Sequence, residues 1–436
     1  MYNGPVMSAI SHYWQTLRLF SRDLRLFLIA AALVGFAWDG IRAVLMNLWL
    51  LRLGYGPDLV GLVNAVGAFA FAILCLPAGA LGTRWGSRNM LIAGMGLLTT
   101  GFWLMPLAEF LAGDWQVGCV LLASILIHAG LALYLVNGLP FMMGATNLQD
   151  RNHAFSVHLA IAPLAAFVGS LIAGVLPALF AQLLGVPVTD AAAYRYPLWL
   201  GALMLTPGVF VLLRTRTATI RPVRAPEADL PGSLAAGPPY GLMLMMALIM
   251  ALRFAGRGSV FTFFNVYLDD ALAAPTSLVG ALAASAQLLS VPTALVAPLL
   301  VGRWGNPRVI FLGMVGIAAS TLPLAFVPHW TAAGFAFVSS TAFFIVSAGP
   351  MRVFSQELVT PRWQATMASA FMLGPGLSYA LVSLIGGFAI VSVGYPAVFF
   401  ISALLVFTAG LLFWFWFRVP RGEMARQPLP ETVDQA

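Results

Sequence analysis

Charge is what this sequence lacks most. Only 8% of its 436 residues are Asp, Glu, Lys or Arg, against about 25% in a soluble globular chain. Lysine is missing altogether, so all 22 basic residues are arginine. That excludes chemistry requiring a lysine, such as a P-loop phosphate clamp or a Schiff base. Cysteine is nearly absent too: Cys75 and Cys119 both fall in apolar runs, where a small buried hydrophobe is the plain reading. The sequence contains no HExxH, no Gly-x-Ser-x-Gly, no metal-spaced Cys/His cluster and no acidic pair in a loop. The expectation is a chain that is not an enzyme and holds no cofactor or metal. Without a nucleotide-binding domain, ATP hydrolysis would need a separate subunit.

What is present is apolar: 61% of the residues are hydrophobic. Runs of about 20 such residues recur along nearly the whole length, as helices crossing a ~30 Å hydrocarbon core require. Transmembrane β-strands would instead alternate over ~10-residue segments. Twelve spans are expected, near 24–51, 59–81, 89–109, 116–144, 153–184, 194–213, 240–268, 277–301, 308–328, 331–355, 364–392 and 395–418. The first is too long for a signal-peptide core and is expected to act as an uncleaved anchor. The longest soluble break, "RTRTATIRPVRAPEADLPGSLAAGPP", is rich in Pro, Gly and Arg. It divides the chain into a six-helix half (1–213), a linker (214–239), a second six-helix half (240–418) and a tail (419–436).

Arginine placement sets the orientation. With the N-terminus inside, Arg84, Arg88, Arg151, Arg214, Arg303, Arg308, Arg362 and Arg418 all lie on the cytoplasmic side, while the opposite loops keep Arg52, Arg195 and several acids. Both termini are then cytoplasmic, in a plasma (inner) membrane. The net charge of +7 is accordingly a membrane-side signal, and no nucleic-acid partner is expected.

The halves repeat. "LGTRWGSRNM" is echoed by "LVGRWGNPRV", "LVGLVNAVGA" by "LVGALAASAQ", and "DRNHAFS" by "PRWQATMAS", in the same order and 211 to 219 residues apart. A parallel duplication of six-helix halves is one known transporter architecture, with substrate held at mid-membrane. At an offset of 218, "FAWDGIRAVLMNLWL" overlies "FAGRGSVFTFFNVYL", setting Asp39 on Arg257 and Asn47 on Asn265.

These residues resemble the major facilitator superfamily over essentially the whole chain. Its loop signature, Gly-x-x-x-Asp-Arg-x-Gly-Arg-Arg/Lys, is approached by Gly79, Arg84, Gly86 and Arg88, with Arg88 one place late. Thr83 replaces the family's acid, and Gly302 replaces it in the second copy. The resemblance implies an all-α fold of 12 transmembrane helices in two parallel halves, working by alternating access as a monomer. It implies a gating role for the loops, through Gly79, Arg84, Gly86, Arg88, Arg303, Gly305, Arg151 and Arg362. "GSLIAG" at Gly169 loosely matches the superfamily's antiporter motif Gly-Pro-x-x-Gly-Gly, and small residues at this spacing also let helices approach closely.

An ionised side chain near a bilayer centre costs about 2.5–3.5 kcal/mol even on lenient scales, so charges inside spans are expected to be functional. Asp39 and Arg42 are three residues apart, Arg253 and Arg257 four, so each pair shares a helical face. Two arrangements stay open: a local Asp39–Arg42 pair, or Asp39 facing Arg257 across a cavity between the halves. Asn47 and Asn265 lie eight residues on, about 80° round an ideal helix. His128 and Tyr134, with His158 behind them, are softer cavity candidates; so are Gln287, Ser339, Ser340 and Thr341. One acid against three arginines favours a carboxylate or phosphate ligand. The first expectation, from resemblance to efflux members, is export of an amphipathic compound with a proton as coupling ion. Its rivals are import of an organic anion and a non-transporting receptor or scaffold. Partners are a small-molecule substrate and the lipid bilayer.

Overall fold

The computed structural model describes residues 20–146, 151–216, 239–360, 363–419 and 422. All its regular structure is helical. The helices are α1 (Arg22–Arg52), α2 (Pro57–Trp85), α3 (Ser87–Leu107), α4 (Asp114–Ala145), α5 (Arg151–Leu184) and α6 (Ala192–Leu213). They continue as α7 (Tyr240–Val266), α8 (Thr276–Trp304), α9 (Asn306–Phe326) and α10 (Trp330–Glu357). The last stretch, Gln364–Phe417, is interrupted at Gly394, whose φ of 82° is not helical. It is therefore two helices, α11 (364–393) and α12 (395–417). This gives twelve membrane-length helices among the described residues. Most of the linker and tail, and the first 19 residues, lie outside the described residues.

Local chemistry starts and stops these helices. Ser21 caps α1 by accepting from the Leu24 amide at 3.2 Å, and Asp23 sits in the first turn, where the helix dipole favours an acid. Gly86 and Gly305 each separate two helices at φ of 88° and 77°, a region that favours glycine. Large apolar side chains such as Leu159, Leu183, Leu244 and Leu299 are exposed, as helices meeting lipid require.

Compactness divides the chain into two units: Met1–Trp49 with Ala70–Arg224, and Leu50–Phe69 with Ala225–Ala436. In the first, α1 lies against the backbone of α5. A Cβ on Gly40 would stand 2.7 Å from Gly169 Cα, so no larger residue fits. Gly169 thus serves close helix approach, the packing role open to the "GSLIAG" stretch. In the second, the start of α2 sits against α11: a Cβ on Gly387 would meet Pro57 O at 2.5 Å. Arg52 pairs with Asp269 at 2.5 Å, and Tyr395 donates to Asp270 at 2.8 Å.

Candidate solute-binding clusters

Asp39 and Arg42 lie in a feature that helical periodicity did not foretell. Gly35–Arg42 is a π-helical segment inside α1. Such single-turn bulges re-register the side chains around them and often mark functional sites. The ideal-helix angle between Asp39 and Asn47 therefore does not hold, because the bulge intervenes. Asp39 is half-buried and makes no hydrogen bond or ion pair with the described residues of its unit. Arg42 is close enough to interact with it electrostatically, but the two are not an ion pair. The Arg42 guanidinium instead lies 4.0 Å from the Trp38 ring centroid, and its side chain borders a small void with Met46, Phe102 and Leu198.

Trp38 links this cation to α4. It meets His128 edge-on, with ring centroids 5.0 Å apart. His128 Nδ1 donates to Ser124 O at 2.8 Å, which fixes the tautomer. One layer away, Phe27 gathers Tyr134, Phe141 and His158 at 6.1, 5.7 and 5.3 Å. The Tyr134 hydroxyl and His158 Nδ1 are buried and have no hydrogen-bond partner among the described residues. The first unit thus holds a band of aromatic rings with two buried polar atoms that have no partner among the described residues.

The second unit carries the denser cationic site. Arg253 is 1% exposed and donates through Nη2 to Phe344 O at 3.0 Å and Ser347 Oγ at 2.8 Å. Its Nε finds no acceptor among the described residues. Arg257, one turn further along α7, donates to Thr341 Oγ1 at 3.3 Å. Both guanidinium groups lie over the Phe344 ring, at 4.5 and 4.3 Å from its centroid. Cation–π contact stabilises each by about 0.5–2 kcal/mol but neutralises neither charge. No carboxylate among the described residues of this unit pairs with them.

Asn47 and Asn265 are both buried, one in each unit. Ser339 and Ser340 turn their hydroxyls to their own helix, bonding Phe335 O and Phe337 O; of that polar run only Thr341 reaches the arginines. Phe344 and Ser347 were not anticipated. Their signal was a three-residue period on α10, Thr341–Phe344–Ser347, opposite a pair spaced by four on α7.

The loop residues have separate environments. Arg88 bonds Leu213 O and Thr215 O, each at 2.8 Å, so it holds the end of α6 rather than the preceding helix α2. Gly79 has ordinary van der Waals room. Arg84 and Arg303 are exposed. The side chain of Arg151, and all of Arg362, lie outside the described residues.

No curated protein sequence matches the chain significantly. Solved structures do share its fold. A D-xylose–proton symporter superposes with a TM-score of 0.71 at 14% identity, covering 93% of this chain and 99% of the other. The inward-open xylose transporter XylE of E. coli gives 0.69 at 15%, covering 92% and 97%. The nucleoside transporter NupG gives 0.66 at 15%, covering 91% and 100%. At such identities the likeness speaks to fold and not to solute. The family profile for the Major Facilitator Superfamily matches residues 27–381, and with its twelve-helix architecture this chain belongs to that superfamily of membrane transporters.

Proposed function

We propose that this transporter carries a small organic anion, recognised chiefly by Arg253 and Arg257. The observation behind this is two guanidinium groups over one Phe344 ring, that of Arg253 buried and that of Arg257 half-buried, with no carboxylate among the described residues of the unit pairing with them. Two desolvated cations left without a counter-charge are unfavourable, and an anionic solute supplies the missing charge. The planar donor fork of arginine suits carboxylate or phosphate. A gating role for the exposed Arg84 and Arg303 loops is part of this proposal. On the arginine distribution, we place the protein in the inner membrane with both termini cytoplasmic, acting as a monomer.

Proton-driven export of an amphipathic compound is the second reading. What favours it is Asp39, a carboxyl in a π-helical segment with no hydrogen bond in its own unit. A thermal-shift panel on the purified protein separates the two. Small carboxylates and organic phosphates should stabilise the wild type and leave Arg257→Gln unmoved. Stabilisation by lipophilic cations alone, abolished by Asp39→Asn, would support the second reading instead.

A further inference from the structure

The two copies of the sequence repeat treat the start of their third helix differently. In the first, Arg88 at the start of α3 is engaged: its guanidinium donates to the carbonyl oxygen of Leu213, the last residue of α6, and to that of Thr215 just beyond it. In the second, the matching crevice between the start of α9 and the end of α12 is open. It forms a cavity of about 430 Å³ bordered by Trp304, Arg308, Phe354, Trp414, Phe417 and Arg418. No acid lines it.

Neither Arg308 nor Arg418 makes a side-chain hydrogen bond or ion pair among the described residues; the guanidinium of Arg418 only approaches the Phe415 ring, at 5.5 Å. Both are exposed. The floor is apolar, with Phe354 and Phe417 buried and their rings 5.2 Å apart. Trp304, 41% exposed, forms part of the rim. The cavity lies where α8, α10 and α12 end and α9 begins, so it sits at a membrane–water boundary. Positive charge, indole rings and an apolar floor at that depth match a phospholipid: phosphate to the arginines, glycerol and acyl carbons to the rings.

We infer that this crevice is a binding site for the headgroup of an anionic phospholipid, in the leaflet that the arginine distribution makes cytoplasmic. It is separate from the solute-binding clusters and does not depend on what the solute is. Its occupant replaces, in the second half, the closure that Arg88 provides in the first.

The test is native mass spectrometry of the detergent-purified full chain, titrated in parallel with phosphatidylglycerol, phosphatidylcholine and inorganic phosphate. The wild type should retain phosphatidylglycerol on the order of tenfold more strongly than phosphatidylcholine. Arg308→Gln with Arg418→Gln should bring that preference close to parity, and the Arg308→Lys, Arg418→Lys pair should restore most of it. Arg352→Gln, an exposed arginine on α10 that does not line the cavity, should leave the preference intact. Equal retention of both lipids by the wild type would overturn the inference. So would an equal loss in Arg352→Gln, which would reduce the effect to general surface charge. Displacement of the lipid by inorganic phosphate at matched concentration would reassign the crevice to a free anion.

Discussion

Arg253 and Arg257 share a helix, a ring and a charge, yet the structure gives them different work. Arg253 is almost fully enclosed and holds α10 through Phe344 O and Ser347 Oγ. Arg257 has one long side-chain bond, to Thr341, among the described residues. Hydrogen bonds to charged groups each contribute about 1.5–3 kcal/mol. Arg253→Gln should therefore lower stability by about 2 kcal/mol, seen as a fall in melting temperature without solute. Arg257→Gln should change stability by less than about 1 kcal/mol while weakening anion binding by about tenfold or more. If both variants melt alike and bind alike, the division of labour between them is wrong. Tyr134 belongs at this scale too. Its hydroxyl has no partner among the described residues, so Tyr134→Phe should leave the melting temperature within a degree or two, unlike the loss of a satisfied buried hydroxyl.

At the scale of the element, the bulge in α1 is the informative feature. The backbone around it is pressed against α5 through Gly40 and Gly169. The bulge carries Trp38 towards His128 and Arg42 towards the void beside Phe102. Overpacking a tight interface costs about 1–3 kcal/mol and sometimes more, and here the added atoms would meet backbone rather than a movable side chain. Gly169→Leu should fall at the upper end, about 3 kcal/mol, or abolish the folded protein in expression trials. Leu171→Ala, on the exposed side of the same helix, should stay within about 0.5 kcal/mol. A second element-level device is Arg88 on the end of α6. Arg88→Ala should loosen that end by about 1.5 kcal/mol, visible as faster amide exchange at residues 212–215 with little change elsewhere.

For the molecule as a whole, the first part of α2 is a member of the second compact unit. It is held there by the Arg52–Asp269 pair and by the approach of Gly387 to Pro57. The side chains of Arg52 and Asp269 are 19% and 8% exposed, so the pair is screened less than a surface bridge. A double-mutant cycle of Arg52→Gln and Asp269→Asn should give a coupling energy of at least about 1 kcal/mol. A coupling near zero would remove the pair from the account of that unit.

Much of this scale was legible in the sequence. Helices 240–266 and 395–417 fall within a few residues of the runs read at 240–268 and 395–418, because each run is set by bilayer thickness and by breakers such as Gly394. The site was only partly legible. Arg253 and Arg257 stood out because charge is rare in these spans. The ring between them did not, since Phe344 is one of 31 phenylalanines and nothing local distinguishes it from packing. The bulge was invisible for a different reason. It lies where α1 meets the backbone of α5, and a π-helical register leaves no mark on a period of 3.6 residues. Arg88 stood out as part of the loop signature, whereas its acceptors, at the end of α6 and just beyond it, lie more than a hundred positions away.

Selection of an anionic solute by Arg253 and Arg257 is most directly read in transport current. Purified protein in liposomes would be challenged on a solid-supported membrane with organic anions, organic cations, sugars and neutral drugs, with and without an imposed pH gradient. One or more anions should give currents, reduced by about tenfold or more in Arg257→Gln. Currents confined to lipophilic cations or neutral compounds, unchanged in Arg257→Gln and driven by the pH gradient, would contradict that selection.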